Sequence, residues 1–109
     1  MAVAPELFTK EFAQEALENL GEKLIIKNKS LGMKTLSPSD MAYKPNYDNS
    51  DETHGWNYHN GPEWVWPLGY YLIARIIFFE KKDQQIMKYL IPHQHHLYSS
   101  PWMSLPELT

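Results

Sequence analysis

Residues 61–79 read Gly61-Pro62-Glu63-Trp64-Val65-Trp66-Pro67-Leu68-Gly69-Tyr70-Tyr71-Leu72-Ile73-Ala74-Arg75-Ile76-Ile77-Phe78-Phe79. Apolar residues at 64, 65, 68, 71, 72, 76 and 79 keep helical spacing, and the opposite face is barely polar. Pro62 suits the first turn of this helix, where a missing N–H does no harm. A helix that is apolar nearly all round is normally buried on most sides. One such helix, about 18 residues long, needs more protein around it than a chain of 109 residues supplies. The stretch points to a helical fold and to a larger body around it.

Upstream, Thr9 is a plausible N-cap, and Phe12, Ala16, Leu20 and Leu24 follow four apart, with Ala13 and Leu17 widening the stripe. The spacing predicts an amphipathic helix over 10–26. Gly21 inside it costs about 1 kcal/mol against alanine, and Glu11, Glu15, Glu18 and Glu22 form a solvated face. Lys27–Thr35, with Gly32, reads as a loop. Ser37-Pro38-Ser39-Asp40 has the pattern of a capped helical turn. Lys44–Gly61 is a long polar run holding Tyr47, Trp56 and Tyr58; those aromatics argue for an ordered loop lining a site. Downstream, Ile86, Met87, Leu90 and Ile91 predict a third helix from Asp83 to about Leu97, kinked or cut short by Pro92. Ser99-Ser100-Pro101-Trp102 returns to loop. The fold class expected is all-α.

Composition excludes several functions. No 18 to 20 residue apolar run exists, because Val65–Phe79 is interrupted by Pro67, Gly69 and Arg75, so no membrane partner is expected. Met1-Ala2-Val3-Ala4-Pro5 lacks the pattern of a secretory signal, which makes a cytoplasmic location the default. The absence of cysteine removes disulfides, thiolate zinc sites and thiol catalysis. With 10 basic against 13 acidic residues and a single arginine, the chain has no footprint for nucleic acid.

All four tryptophans lie after residue 55, and Asn57–Pro67 is the densest chemical cluster. It combines amides, an imidazole, a carboxylate and large aromatics at a helix mouth. Pyranose rings present C–H faces to aromatic planes and hydroxyls to polar fringes, so the mixture suits a sugar; an ordinary core with a turn at Tyr58–Gly61 is the bland alternative. Glu63 and Glu107 each lie beside proline and near tryptophan. Inverting glycoside hydrolysis uses two carboxylates roughly 6.5 to 9.5 Å apart, although a lone loop glutamate is more often a surface or capping residue. His93-x-His95-His96 is not a recognised zinc spacing. No metal or cofactor is expected, and these imidazoles suit the C-terminal end of the third helix.

Several spaced blocks carry a resemblance. Pro5-Glu6-Leu7-Phe8, Leu31–Leu36, Tyr47-Asp48-Asn49, Asn57–Trp64 with Trp66–Tyr70, and Ser100-Pro101-Trp102 to Leu105-Pro106-Glu107-Leu108-Thr109 together resemble the C-terminal region of eukaryotic glycogen debranching enzymes. They recur in the family's order and cover nearly the whole chain. The resemblance implies that residues 1–109 are a fragment of an amylo-α-1,6-glucosidase domain, an (α/α)6 toroid of six helical hairpins incomplete in this chain. It implies inverting hydrolysis of the α-1,6-linked glucose at branch points of glycogen or a limit dextrin. In the family this accompanies a 4-α-glucanotransferase carried elsewhere in the enzyme.

Carried over residue by residue, the resemblance makes Glu107 the general base. Tyr58, His59, Glu63, Trp64, Trp66 and Trp102 fall around the sugar, with Glu63 the runner-up as base. The general acid, an aspartate in the family, would lie upstream of Met1. The isolated chain is therefore expected to be inactive and to need the remainder of the enzyme, and a non-enzymatic glycan-binding or scaffold fragment is the rival reading. Pro92 and a shortened Lys44–Gly55 depart from the family pattern.

Overall fold

The computed structural model describes residues 1–79 and 85–109. A 3-10 turn at Pro5–Leu7 precedes helix α1, Lys10–Leu24. Strand β1 is Met33–Lys34, strand β2 is Glu63–Trp64, helix α2 is Val65–Phe78 and helix α3 is Gln85–Ser99. The chain is mostly helical, as the periodicity predicts, with one two-stranded antiparallel sheet that the periodicity does not announce. The expected start of the third helix at Asp83 lies outside the described residues.

Thr9 caps α1 as expected, its Oγ1 accepting from the Phe12 amide at 3.4 Å. The helix ends two residues earlier than its pattern, because Ile25 turns to extended backbone while still bonding to the Gly21 carbonyl. Ala13, Leu17 and Gly21 are buried, and they meet α2. The core joins these to Ile25, Met33, Leu68, Tyr71, Leu72, Ala74, Phe78 and Tyr89.

At Gly21 the side chains of Tyr71 and Tyr89 reach the backbone of α1. A Cβ built there would stand 2.4 Å from the Tyr71 hydroxyl and 3.2 Å from that of Tyr89, so the propensity lost at this position is exchanged for close packing. The Tyr71 Oη–H donates to the Leu17 carbonyl at 3.1 Å, and Arg75 donates to the Tyr71 hydroxyl oxygen at 3.0 Å. Burial and the neighbouring Tyr89 hydroxyl push the Tyr71 phenol well above its ordinary 10.0.

Four expectations are corrected. Helix α2 opens at Val65, not at Pro62, because Pro62–Trp64 is drawn into extended pairing; Pro67 takes the first-turn place instead. Ser37–Asp40 is a hydrogen-bonded turn, with Asp40 N–H donating to the Ser37 carbonyl at 2.9 Å, and not a helical one. Helix α3 continues through Pro92 to Ser99. The bond forfeited there belongs to the carbonyl of Lys88, an exposed residue with access to water. His93 does not close the helix end, since its Nε2 bonds the Leu31 carbonyl at 2.5 Å and ties α3 to the turn before β1.

One face of α2 is uncovered. Trp66, Tyr70, Ile73 and Ile77, at helical spacing, are 63%, 54%, 47% and 40% exposed. Among the described residues the helix is covered by α1, with β1 and Tyr89 of α3 adding contacts. The molecule measures 45 × 34 × 21 Å with a radius of gyration of 15.2 Å, against about 13 Å for a compact domain of this length. No helix among the described residues is long and apolar enough to cross a membrane.

Candidate functional site

The site is assembled around β2. On one side β1 pairs with it antiparallel, setting Met33 opposite Trp64 and Lys34 opposite Glu63. On the other side the C-terminal segment adds a third row. Glu63 and Thr109 exchange backbone bonds of 3.2 and 2.9 Å, Leu108 lies opposite Trp64, and the Val65 amide donates to the Glu107 carbonyl at 3.1 Å. Val65 is the first residue of α2, so Glu107 satisfies one of the amides that a helix start leaves open. Gly32 makes the assembly possible. A Cβ there would lie 2.2 Å from the Trp64 carbonyl oxygen and 2.8 Å from the Val65 nitrogen.

Alternation along β2 sends Trp64 and Glu63 to opposite sides. On the Trp64 side lies an aromatic cluster. The Trp64 ring, 5% exposed, is 4.5 Å from that of Tyr58 and 5.6 Å from that of His59, and Tyr47 meets Tyr58 edge-on at 5.0 Å. The indole N–H donates to the Tyr58 carbonyl at 3.1 Å, which locks the wall to its own loop.

That loop is closed at its base. The Lys44 amide donates to the Asn60 carbonyl at 2.8 Å, the Asn57 side chain donates to the Asn46 carbonyl at 2.5 Å, and Lys44 pairs with Glu52. Hydrogen bonds from the Thr53 hydroxyl and from the Ser50 hydroxyl and amide hold the Asp48 carboxyl below its ordinary value of 3.8.

On the other side sits a polar knot. Glu63 Oε1 accepts from the Ser30 hydroxyl at 2.5 Å and from Lys34 Nζ at 3.2 Å, and Oε2 accepts from the Thr109 hydroxyl at 3.2 Å. The side chains of Lys34 and Glu63 are 8% and 14% exposed. Glu107 presents an exposed side chain on the segment this knot secures.

The structure thus gathers Tyr58, His59 and Trp64 on one side of β2 and sets Glu63 on the other, with the backbone of Glu107 paired alongside. It leaves Trp66 and Trp102 apart. Trp66 pairs with Tyr70 on the open face of α2, and Trp102 is 85% exposed in the turn after α3. Tyr47, Ser30 and Lys34 join the site without having been singled out for it. Tyr47 and Lys34 stand in resembling blocks, which was the available signal, whereas Ser30 carries none. Among the described residues no group of three or more His, Asp or Glu side chains could hold a metal ion.

A family model described as Amylo-alpha-1,6-glucosidase matches residues 1–109. Glycogen debranching enzyme of Saccharomyces cerevisiae is 37% identical over 131 residues that take in 100% of this chain. The chain spans 8% of the length of that yeast protein.

Proposed function

The chain belongs to the amylo-alpha-1,6-glucosidase family, and on that premise we propose that it forms part of a glycogen debranching enzyme. In this reading the longer enzyme hydrolyses the α-1,6-linked glucose at glycogen branch points with inversion, alongside a 4-α-glucanotransferase. This segment supplies the general base, Glu107, and part of the aromatic wall. The reading takes the chain as one sector of an (α/α)6 toroid, a function for which the open face of α2 is suited.

The observation that carries the reading is the pairing of the C-terminal segment along β2. It sets the backbone of Glu107 against Val65, one residue past Trp64, at the start of α2. A base for inversion has to stand on the far side of the anomeric carbon from the departing oxygen, with room for a water. An exposed carboxylate on a segment whose backbone is anchored along β2 leaves room for such a water. Glu107 takes the proton of the attacking water, and the acid that protonates the leaving 6-oxygen comes from elsewhere in the longer enzyme. Tyr58 and His59 pack against the sugar with the buried Trp64 behind them, and Trp66 and Trp102 complete the wall where other parts of the enzyme fold over them.

Two measurements test this. The 109-residue chain incubated with a limit dextrin is expected to release no glucose, since it holds only half of the acid–base pair. A hybrid yeast enzyme in which residues 1–109 replace the matching segment is expected to release glucose, and proton NMR in the first minutes should show the β-anomer. Release of the α-anomer by the hybrid, or any hydrolysis by the lone chain, contradicts the reading. Binding of maltooligosaccharide by the lone chain, abolished by Trp64→Ala, would instead favour a glycan-binding module.

A further inference from the structure

We propose that Glu63 is a positioning residue, which with Ser30 and Lys34 clamps the C-terminal segment to β2 and thereby fixes where Glu107 stands. The inference deepens the proposed function and rests on it, because it takes Glu107 as the base.

The carboxylate of Glu63 is almost fully engaged. Of about four lone-pair directions, three are taken by donors from three separate segments: Ser30 of the turn after α1, Lys34 of β1 and Thr109 of the C-terminal row. Ser30 is itself held, its oxygen accepting from the Ile26 amide at 2.8 Å. Lys34 is 8% exposed, so its ammonium depends on Glu63 for charge compensation. A carboxylate so occupied has little left for a sugar hydroxyl or a water, and it lies on the side of β2 away from the ring of Trp64.

What Glu63 does hold is the row carrying Glu107. Among the described residues, the backbone of 106–109 bonds only to Glu63 and Val65. The Thr109 hydroxyl on Glu63 is the side-chain bond that secures the row's end. Misplacing a catalytic group by about 1 Å costs roughly 10²-fold in rate, so a clamp of this kind governs turnover without touching substrate.

The test uses the hybrid yeast enzyme and a limit dextrin, with Glu107→Gln as reference and transferase activity as internal control. Glu63→Gln is expected to lower kcat for α-1,6 hydrolysis about 10-fold to 100-fold with KM within about twofold, and to leave the transferase unchanged. Adding Lys34→Met should restore part of kcat, because a neutral pair replaces a stranded ammonium. Thr109→Val, which removes one contact and is mild enough to fold, should lower kcat a few-fold at an unchanged melting temperature; should Glu63→Gln fail to fold, this variant decides.

Four outcomes overturn the proposal: an unchanged kcat, a raised KM at constant kcat, a loss with Glu63→Gln as deep as with Glu107→Gln that Lys34→Met does not relieve, or a Thr109→Val variant as active as the parent. Hydrolysis that survives Glu107→Gln overturns the function proposed above as well, and so separates the two failures.

Discussion

Two glycines show how much single residues decide here. In α1, Gly21 reads from sequence as a defect in a helix, and its purpose is visible only against Tyr71, a residue far along the chain. Gly21→Ala is expected to destabilise the chain by about 1 to 3 kcal/mol through overpacking, despite the propensity it recovers. Tyr71→Phe removes the obstructing oxygen and should therefore cost less in the Gly21→Ala background than in the parent, a non-additivity readable from thermal melts of the four chains. At Gly32 the obstruction is backbone, the Trp64 carbonyl, so no neighbouring truncation relieves it, and Gly32→Ala should separate β1 from β2 and abolish protection of the Val65 amide in hydrogen exchange. Glu107 and the Tyr58–Trp64 cluster were legible in the sequence through their chemistry and their resemblance. The roles of Ser30 and of Lys34, the latter inside a resembling block, were not, because an ordinary serine and lysine acquire meaning only from the carboxylate that folding sets beside them.

Among the elements, the three helices were legible because each repeats its apolar residues over several turns. The sheet was not: two residues per strand have no periodicity, and what holds Glu63–Trp64 extended is pairing with segments about 30 and 45 residues away in sequence, the non-local part of the fold. Trp64 and Val65 happened to fit the helical pattern, which moved the expected start of α2 back to Pro62. The α1–α2 contact carries its own pH dependence. The Tyr71 phenol is raised above 10.0 in the folded chain by burial and by Tyr89, so the folded state keeps a proton that the unfolded state releases. Its contribution is whole below about pH 10 and is lost as pH rises beyond that value. Melting temperature should fall between pH 10 and 11 more steeply in the parent than in Tyr71→Phe; parallel curves would contradict the assignment.

At the scale of the whole molecule, surface is in excess. The chain exposes 7638 Å², where a compact monomer of 12.8 kDa exposes about 6,300 Å². The face formed by Trp66, Tyr70, Ile73 and Ile77 is part of that excess and accords with a helix whose composition calls for cover on most sides. The 109-residue chain alone is accordingly expected to bind an apolar-surface dye, and Ile73→Lys with Ile77→Lys should reduce that binding while helix content by circular dichroism holds. Loss of helix in step with loss of dye binding would mean that the face is part of the core.

If this segment delivers the base for α-1,6 hydrolysis, Glu107→Gln in the hybrid yeast enzyme removes it. The expected result is glucose release from limit dextrin reduced by about 10²-fold to 10⁴-fold with transferase activity intact. Glucose release equal to that of the parent hybrid would contradict the claim.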